Sequence, residues 1–399
     1  MKIQLVTSDF PPFISGIGDY TKALARALSR AGADGVRVTT SCDATEPPLE
    51  DLGDGASVSR EVYAWNGPGM MEIVERATDY HVTHLQYPGV RWGRSLAVLR
   101  LLGLIRRLPW VSGGCATVVT FHEFRSMRKR WRLRASLAMG GADAVVCVDA
   151  DDVSFAKRWN WLPRVLGLRQ PPSFHVIPIA SNAEPVAAST SDRRRWRDEL
   201  GLSDDELGVV FFGILYPHKG LDEMLRAIDM VRGEGLELRP IVIGDFDRDD
   251  DWTCATQQRL GRGDIIWQRG VSLERVSEVL HASDLAALPF HSGSGPNRSS
   301  LLACLAHGLP TITTDGPCTP TSFKRECPLA YVPVNDAKAI ADQLRRLADD
   351  GDLRATMRAE ALAFADKRTW AAVAEAHLKL YRSLSSQMAT KPKPKAVAV

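Results

Sequence analysis

Two segments in the second half of this 399-residue chain bring cations and free backbone amides to places that suit an anion. In the first, Gly213-Ile214-Leu215-Tyr216-Pro217-His218-Lys219-Gly220, an apolar run ends at Gly213, a turn follows and a helix is expected near Gly220. Lys219 then sits at the C-terminal edge of a strand, where an ammonium group neutralises a phosphate oxygen or is simply solvated ahead of a helix. The second runs from Pro289 to Asp315: a buried strand, a loop with Gly293 and Gly295, a helix from Arg298-Ser299, and a Gly308-Leu309-Pro310 stop. The amides of Gly295, Ser299 and Ser300 and the positive end of the helix favour phosphate. Arg298, where loop meets helix, adds a planar charge suited to a diphosphate.

The first half offers smaller pieces. Ser15-Gly16-Ile17-Gly18 follows the first strand and opens the first helix; Gly16 and Gly18 permit positive φ and close approach to a ligand, or form a tight turn only. His122 follows the apolar run Val118–Phe121, where a histidine can donate to a sugar hydroxyl or to developing negative charge. His84 and Gln86, near the end of another strand, read as strand-buried polar groups or acceptor contacts. The run Asp245–Asp251 has the Asp-x-Asp spacing of a divalent-metal site but reads better as a solvated turn. Basic residues crowd the segment 94–134, from Arg94, Arg100, Arg106 and Arg107 to Arg125, Arg128, Lys129, Arg130, Arg132 and Arg134. Such a stretch suits an exposed helix face, an anionic membrane surface or a phosphorylated acceptor.

Positioning these residues requires alternating strands and helices. Short apolar runs and amphipathic patterns alternate along the chain, with strands expected at 3–6, 36–40, 84–87, 117–121, 144–148 and 175–177. After a polar connection at 181–206 they resume at 208–213, 240–244, 265–267, 285–289, 311–313 and 329–332. The fold class is α/β, with two doubly wound, Rossmann-like domains whose strand C-termini face an interdomain cleft. The domains are expected at 1–185 and 206–369, with a helix at 370–385 packing back on the first and a disordered tail at 386–399. A net charge of +2 gives no case for nucleic acid. Seven scattered cysteines without CxxC spacing read as free thiols in a reducing compartment, and Met1–Thr7 is too short for a signal peptide. The expected location is cytoplasmic, with peripheral contact at the inner membrane face through 94–134.

Taken in order, Gly16-Ile17-Gly18, Thr120-Phe121-His122, Val176-Ile177-Pro178, Gly213 to Gly220 and Leu288-Pro289 through Gly308-Leu309-Pro310 resemble the family 4 (group 1) retaining glycosyltransferases of GT-B fold. The resemblance implies a hexosyltransferase of glycan biosynthesis that moves a sugar from a nucleoside-diphosphate sugar to a small-molecule, glycan or lipid-linked acceptor, with retention. It implies no cofactor and no required metal. Lys219 would bind the diphosphate, Gly213 and Gly270 would lie at the donor, with base recognition by backbone near Arg269-Gly270-Val271, and Gly16–Gly18 and His122 would flank the transferred sugar. The chain departs from the family at its E-x7-E glutamates, replaced by Gly295 and Ala303, and at an arginine replaced by Ile214. Arg298 would supply the missing cation. A non-catalytic GT-B binding protein and a nucleotide-sugar epimerase are the alternative readings.

Overall fold

The computed structural model describes residues 1–93, 95–107, 114–161, 171–246, 250–261 and 263–389. Its contacts divide into two units, Met1–Ile179 with the segment from Trp370 onward, and Ala180–Thr369. The expected connection at 181–206 packs within the second unit. Its helix Thr190–Leu200 is anchored by Arg193 and Arg197, which reach the Asp284 carboxylate at 2.6 and 2.8 Å. The C-terminal helix extends over Trp370–Ala389, four residues past its expected end at 385, with Tyr381 and Leu384 buried along it. The lysine–proline tail, 391–395, lies outside the described residues.

The first unit holds strands β1 (Lys2–Val6), β2 (Gly35–Ser41), β3 (Leu49–Gly53), β4 (Ala56–Val62), β5 (Val82–Tyr87), β6 (Ala116–Phe121), β7 (Ala144–Cys147) and β8 (Ser173–Val176). They form one sheet in the order β3-β4-β2-β1-β5-β6-β7-β8. All neighbours are parallel except β3 and β4, a hairpin that the apolar pattern had not predicted. Its turn, Gly53-Asp54-Gly55, has φ of 82°, 59° and 83°, conformations that glycine and aspartate tolerate. β5, β6 and β7 are buried along their whole length, which is why they read as continuous apolar runs. The helices Gly67–Arg76, Ala97–Arg107 and Lys129–Gly141 close a core that contains Ile73, Leu101, Leu102, Phe121, Phe124 and Met139.

The second unit holds β9 (Leu207–Phe212), β10 (Leu238–Ile243), β11 (Ile266–Gln268), β12 (Leu285–Leu288), β13 (Thr311–Asp315) and β14 (Ala330–Pro333), all parallel, in the order β11-β10-β9-β12-β13-β14. Among the parallel strands of each sheet the chain order reverses at one point, between β1 and β5 and between β9 and β12. Crevices open outside the strand C-termini at such reversals, and these are the places where doubly wound sheets take ligands.

Candidate active site

In the second unit the loops after β9 and β12, the two strands at the reversal, are fitted together by glycine. Gly220 has φ +84°, and a Cβ there would lie 2.1 Å from the Pro289 carbonyl oxygen, so only glycine permits the approach. His291 N donates to the His218 carbonyl at 3.0 Å, tying the Lys219 turn to the following loop. The result puts two cations on one ring: Lys219 Nζ lies 5.3 Å, and the Arg298 guanidinium carbon 4.9 Å, from the centre of buried Phe290. Arg298 Nη2 donates to Ser292 Oγ at 2.7 Å, while its Nε is buried without a hydrogen-bond partner. Two like charges set against one apolar ring suit an anion.

Around this pair stand other expected residues. Gly213, φ +139°, ends β9 beside Ser300, whose Oγ is 3.6 Å from where a Gly213 Cβ would be. Ser299 opens the helix Ser299–Ala306, with Arg298 as its extended N-cap residue. Gly295 accepts from Arg298 N at 3.1 Å through its carbonyl. Ala303 is fully buried on that helix. Gly270, φ +60°, follows edge strand β11, two strands out from β9, and so stands apart from the cation pair. Beside it the Arg269 guanidinium pairs with Asp245 at 2.9 Å and lies 5.4 Å from the Trp267 ring centre. Of the acidic run, Asp247, Arg248 and Asp249 lie outside the described residues, and Asp250 caps the helix Asp251–Leu260 by accepting from Thr253 N at 2.9 Å.

In the first unit the loop after β1 is organised by a residue that sequence reasoning missed. Fully buried Asp9 accepts from Ser8 Oγ (2.6 Å), Ser15 Oγ (3.0 Å), Val90 N (2.9 Å) and Arg91 N (3.0 Å). Its carboxylate therefore joins the loops after β1 and β5 across the reversal of the first sheet. Gly16 and Gly18 begin the helix Gly16–Arg30 and do not have positive φ, contrary to expectation. Gly18 is needed for closeness instead: a Cβ would stand 3.1 Å from the Asp9 carbonyl oxygen and the Phe10 Cα. Two residues on, the Tyr20 ring meets His122 edge-on at 4.6 Å.

His122 is buried, its Nε2 3.0 Å from Gln86 Oε1. The Gln86 amide and the His122 ring therefore pair, one as donor and the other as acceptor. His84 is a strand-buried polar group, both ring nitrogens being engaged, by Tyr381 Oη at 2.6 Å and Thr120 Oγ1 at 2.7 Å. Gln86 keeps a buried Nε2 without a hydrogen-bond partner beside His122. In the basic segment, the helix begins only at Lys129, leaving Arg125 and Arg128 ahead of it; Arg94 lies outside the described residues.

Burial holds three neighbouring histidines neutral. It pushes His122 down to about 3 and His377 to about 4, and holds His84 well below its ordinary value, with the nearby imidazoles adding to the effect on His122 and His84. Below about pH 6.5 the unfolded chain takes up protons on these side chains that the folded unit refuses, so stability falls as pH is lowered from there toward about 4. Each histidine contributes up to about 1.4 kcal/mol per pH unit in that window. Denaturant unfolding at about pH 7 and pH 5 should show a steep loss that His377→Gln makes shallower; an equal slope in that variant would refute the assignment.

These geometries define a class. The chain has the GT-B fold of two Rossmann-like domains: it is similar to a sucrose-phosphate synthase from Thermosynechococcus elongatus (18% identity, 97% of this chain and 100% of that one, TM-score 0.73). It is likewise similar to Anabaena HepE, solved in complex with UDP-glucose (16% identity, 96% and 100%, TM-score 0.71). Residues 192–363, within the second unit, match the family described as glycosyl transferases group 1. Over nearly its whole length it is similar to a D-inositol 3-phosphate glycosyltransferase of Xylanimonas cellulosilytica, at 24% identity over 95% of this chain and 93% of the relative.

Proposed function

We propose that the protein is a glycosyltransferase that moves a hexose from a nucleoside-diphosphate sugar to an acceptor hydroxyl with retention of configuration. The observation that carries the reading is the placement of Lys219 and Arg298 on Phe290 at the β9/β12 reversal. Charge builds on the diphosphate as the sugar–oxygen bond breaks, and two fixed cations on a low-dielectric ring stabilise that charge without reorganising. Amides at Gly295, Ser299 and Ser300 complete the phosphate site, and Gly213, without a side chain, leaves room for the donor. In the first unit, the His122 ring binds a sugar hydroxyl, and Gly16 and Gly18 open the helix whose first turn lies in the same crevice. No divalent metal is needed, because protein cations take its role. The donor seen in Anabaena HepE, UDP-glucose, makes a uridine diphosphate sugar the first to try.

Gly295 and fully buried Ala303 stand where the resemblance expects two glutamates, which favours a second reading, a protein that binds nucleotide without turnover. The two separate in one experiment. The chain is mixed with UDP-, GDP- and ADP-sugars, with and without EDTA, and both thermal shift and release of nucleoside diphosphate are followed. Glycosyl transfer predicts a shift with one nucleotide and, with acceptor present, release that EDTA leaves unchanged. A shift without release from any donor and acceptor extract would establish the binding protein, and loss of release in EDTA would overturn the metal-independent mechanism.

A further inference from the structure

We infer that the first unit docks on an anionic lipid surface through the N-terminal ends of the helices Ala97–Arg107 and Lys129–Gly141, and that the acceptor is lipid-linked; the acceptor statement rests on the transfer reading above. Residues 81–142 hold eleven lysines and arginines and one acidic residue, Glu123, in a chain whose net charge is only +2. The two helices contain no acidic residue. They lie side by side, since a Cβ on Gly141 would fall 2.4 Å from Gly103 N.

The N-terminal ends of both helices lie ahead of that contact. Six residues before Gly103 is the helix start at Ala97, preceded by Leu96, and eight before Gly141 is Leu133; these leucines are 45% and 43% exposed. In the turn before Leu133 are exposed Arg128, Lys129 and Arg130 and half-buried Trp131, whose ring lies 4.8 Å from the Arg134 guanidinium carbon. Aromatic and aliphatic side chains among cations are the composition of an interfacial surface.

Arg91, Arg106 and Arg125 pair with Asp43, Asp143 and Asp151, but folding does not explain the cations that open the second helix. Helix N-termini favour anions, yet Lys129–Gly141 opens on Arg128-Lys129-Arg130 with no acidic residue in its first turn. Cations at that end oppose the helix dipole and repel one another, and a layer of anionic headgroups relieves both. The same ends of these helices follow the C-terminal edges of β5 and β6, which carry Gln86 and lead to His122. A bilayer held there presents a lipid-linked hydroxyl on the side of the unit where His122 stands.

The full chain is sedimented with phosphatidylcholine vesicles, plain or containing about 30% phosphatidylglycerol, at about 0.1 M and 0.5 M salt. Binding is expected only to the anionic vesicles, weaker at high salt. Arg128→Ser/Lys129→Ser/Arg130→Ser together should lower the partition coefficient by about tenfold or more, and Trp131→Ala/Leu133→Ala should weaken it at unchanged charge, both with an unaltered unfolding midpoint. Equal binding to neutral vesicles, full binding by the triple variant, or binding of heparin without binding of vesicles would each overturn the docking. Sedimentation requires no turnover, so vesicle binding by a chain that transfers no sugar would sink the transfer reading alone.

Discussion

Lys219→Ala is expected to lower kcat/KM by about 10²- to 10³-fold while the unfolding midpoint stays in place. The side chain is separable from the fold because the turn that carries it is built by backbone: Lys219 N donates to the Tyr216 carbonyl at 3.0 Å, and Gly220 packs on the Pro289 carbonyl. Alanine keeps those contacts and removes the charge. The loss falls on turnover more than on binding, since the diphosphate gains charge as the sugar departs. Normal transfer by Lys219→Ala would remove the central claim about the site.

Arg298→Ala extends the test to the residue proposed to stand in for the missing family cation. Both side chains address the ring of Phe290, so they act on one ligand and should couple: the double variant should lose less than the product of the two single losses. Independent effects would place the two cations on different groups. A silent Arg298→Ala would leave its buried Nε and its bond to Ser292 as features of loop structure only.

The parts of this molecule legible in the sequence are those whose causes are local. β5, β6 and β7 are read from apolar runs because both their faces are covered, and the β9 and β12 loops from the glycine, proline and cation sequences that shape them. The β3–β4 hairpin escaped because an edge pair with one apolar side, Leu49–Gly53 and Ala56–Val62, carries little periodic signal; its one mark was Asp54-Gly55. The neutral histidine cluster was hidden for a different reason: His84 and Tyr381 are 297 positions apart, and nothing near either announces the other. Gly16 and Gly18 show a residue type read correctly and its cause misread, since close packing on Asp9 and Phe10, rather than a positive φ, requires Gly18.

Asp9→Asn should produce the largest loss of structure among single, nearly isosteric changes in the first unit. The carboxylate sits fully buried and accepts from two hydroxyls and two backbone amides, with Val90 N 81 positions away in sequence. Asparagine offers one oxygen in place of two and turns a pair of N–H donors toward groups that are themselves donors. Hydrogen bonds to a charged acceptor contribute about 1.5–3 kcal/mol each, and a buried donor left unpaired costs about 1–3 kcal/mol, so a net loss of about 2–4 kcal/mol is expected. Unfolding of two-unit chains is not two-state, so the local reading is amide exchange at Val90 and Arg91, which should accelerate by about 30-fold or more. Sugar transfer should fall with it, because the same carboxylate holds Ser15, the residue before the Gly16–Gly18 turn, against the loop after β5. Unchanged exchange at both amides would show that the two loops are held together by their packing and that Asp9 is incidental to the crevice.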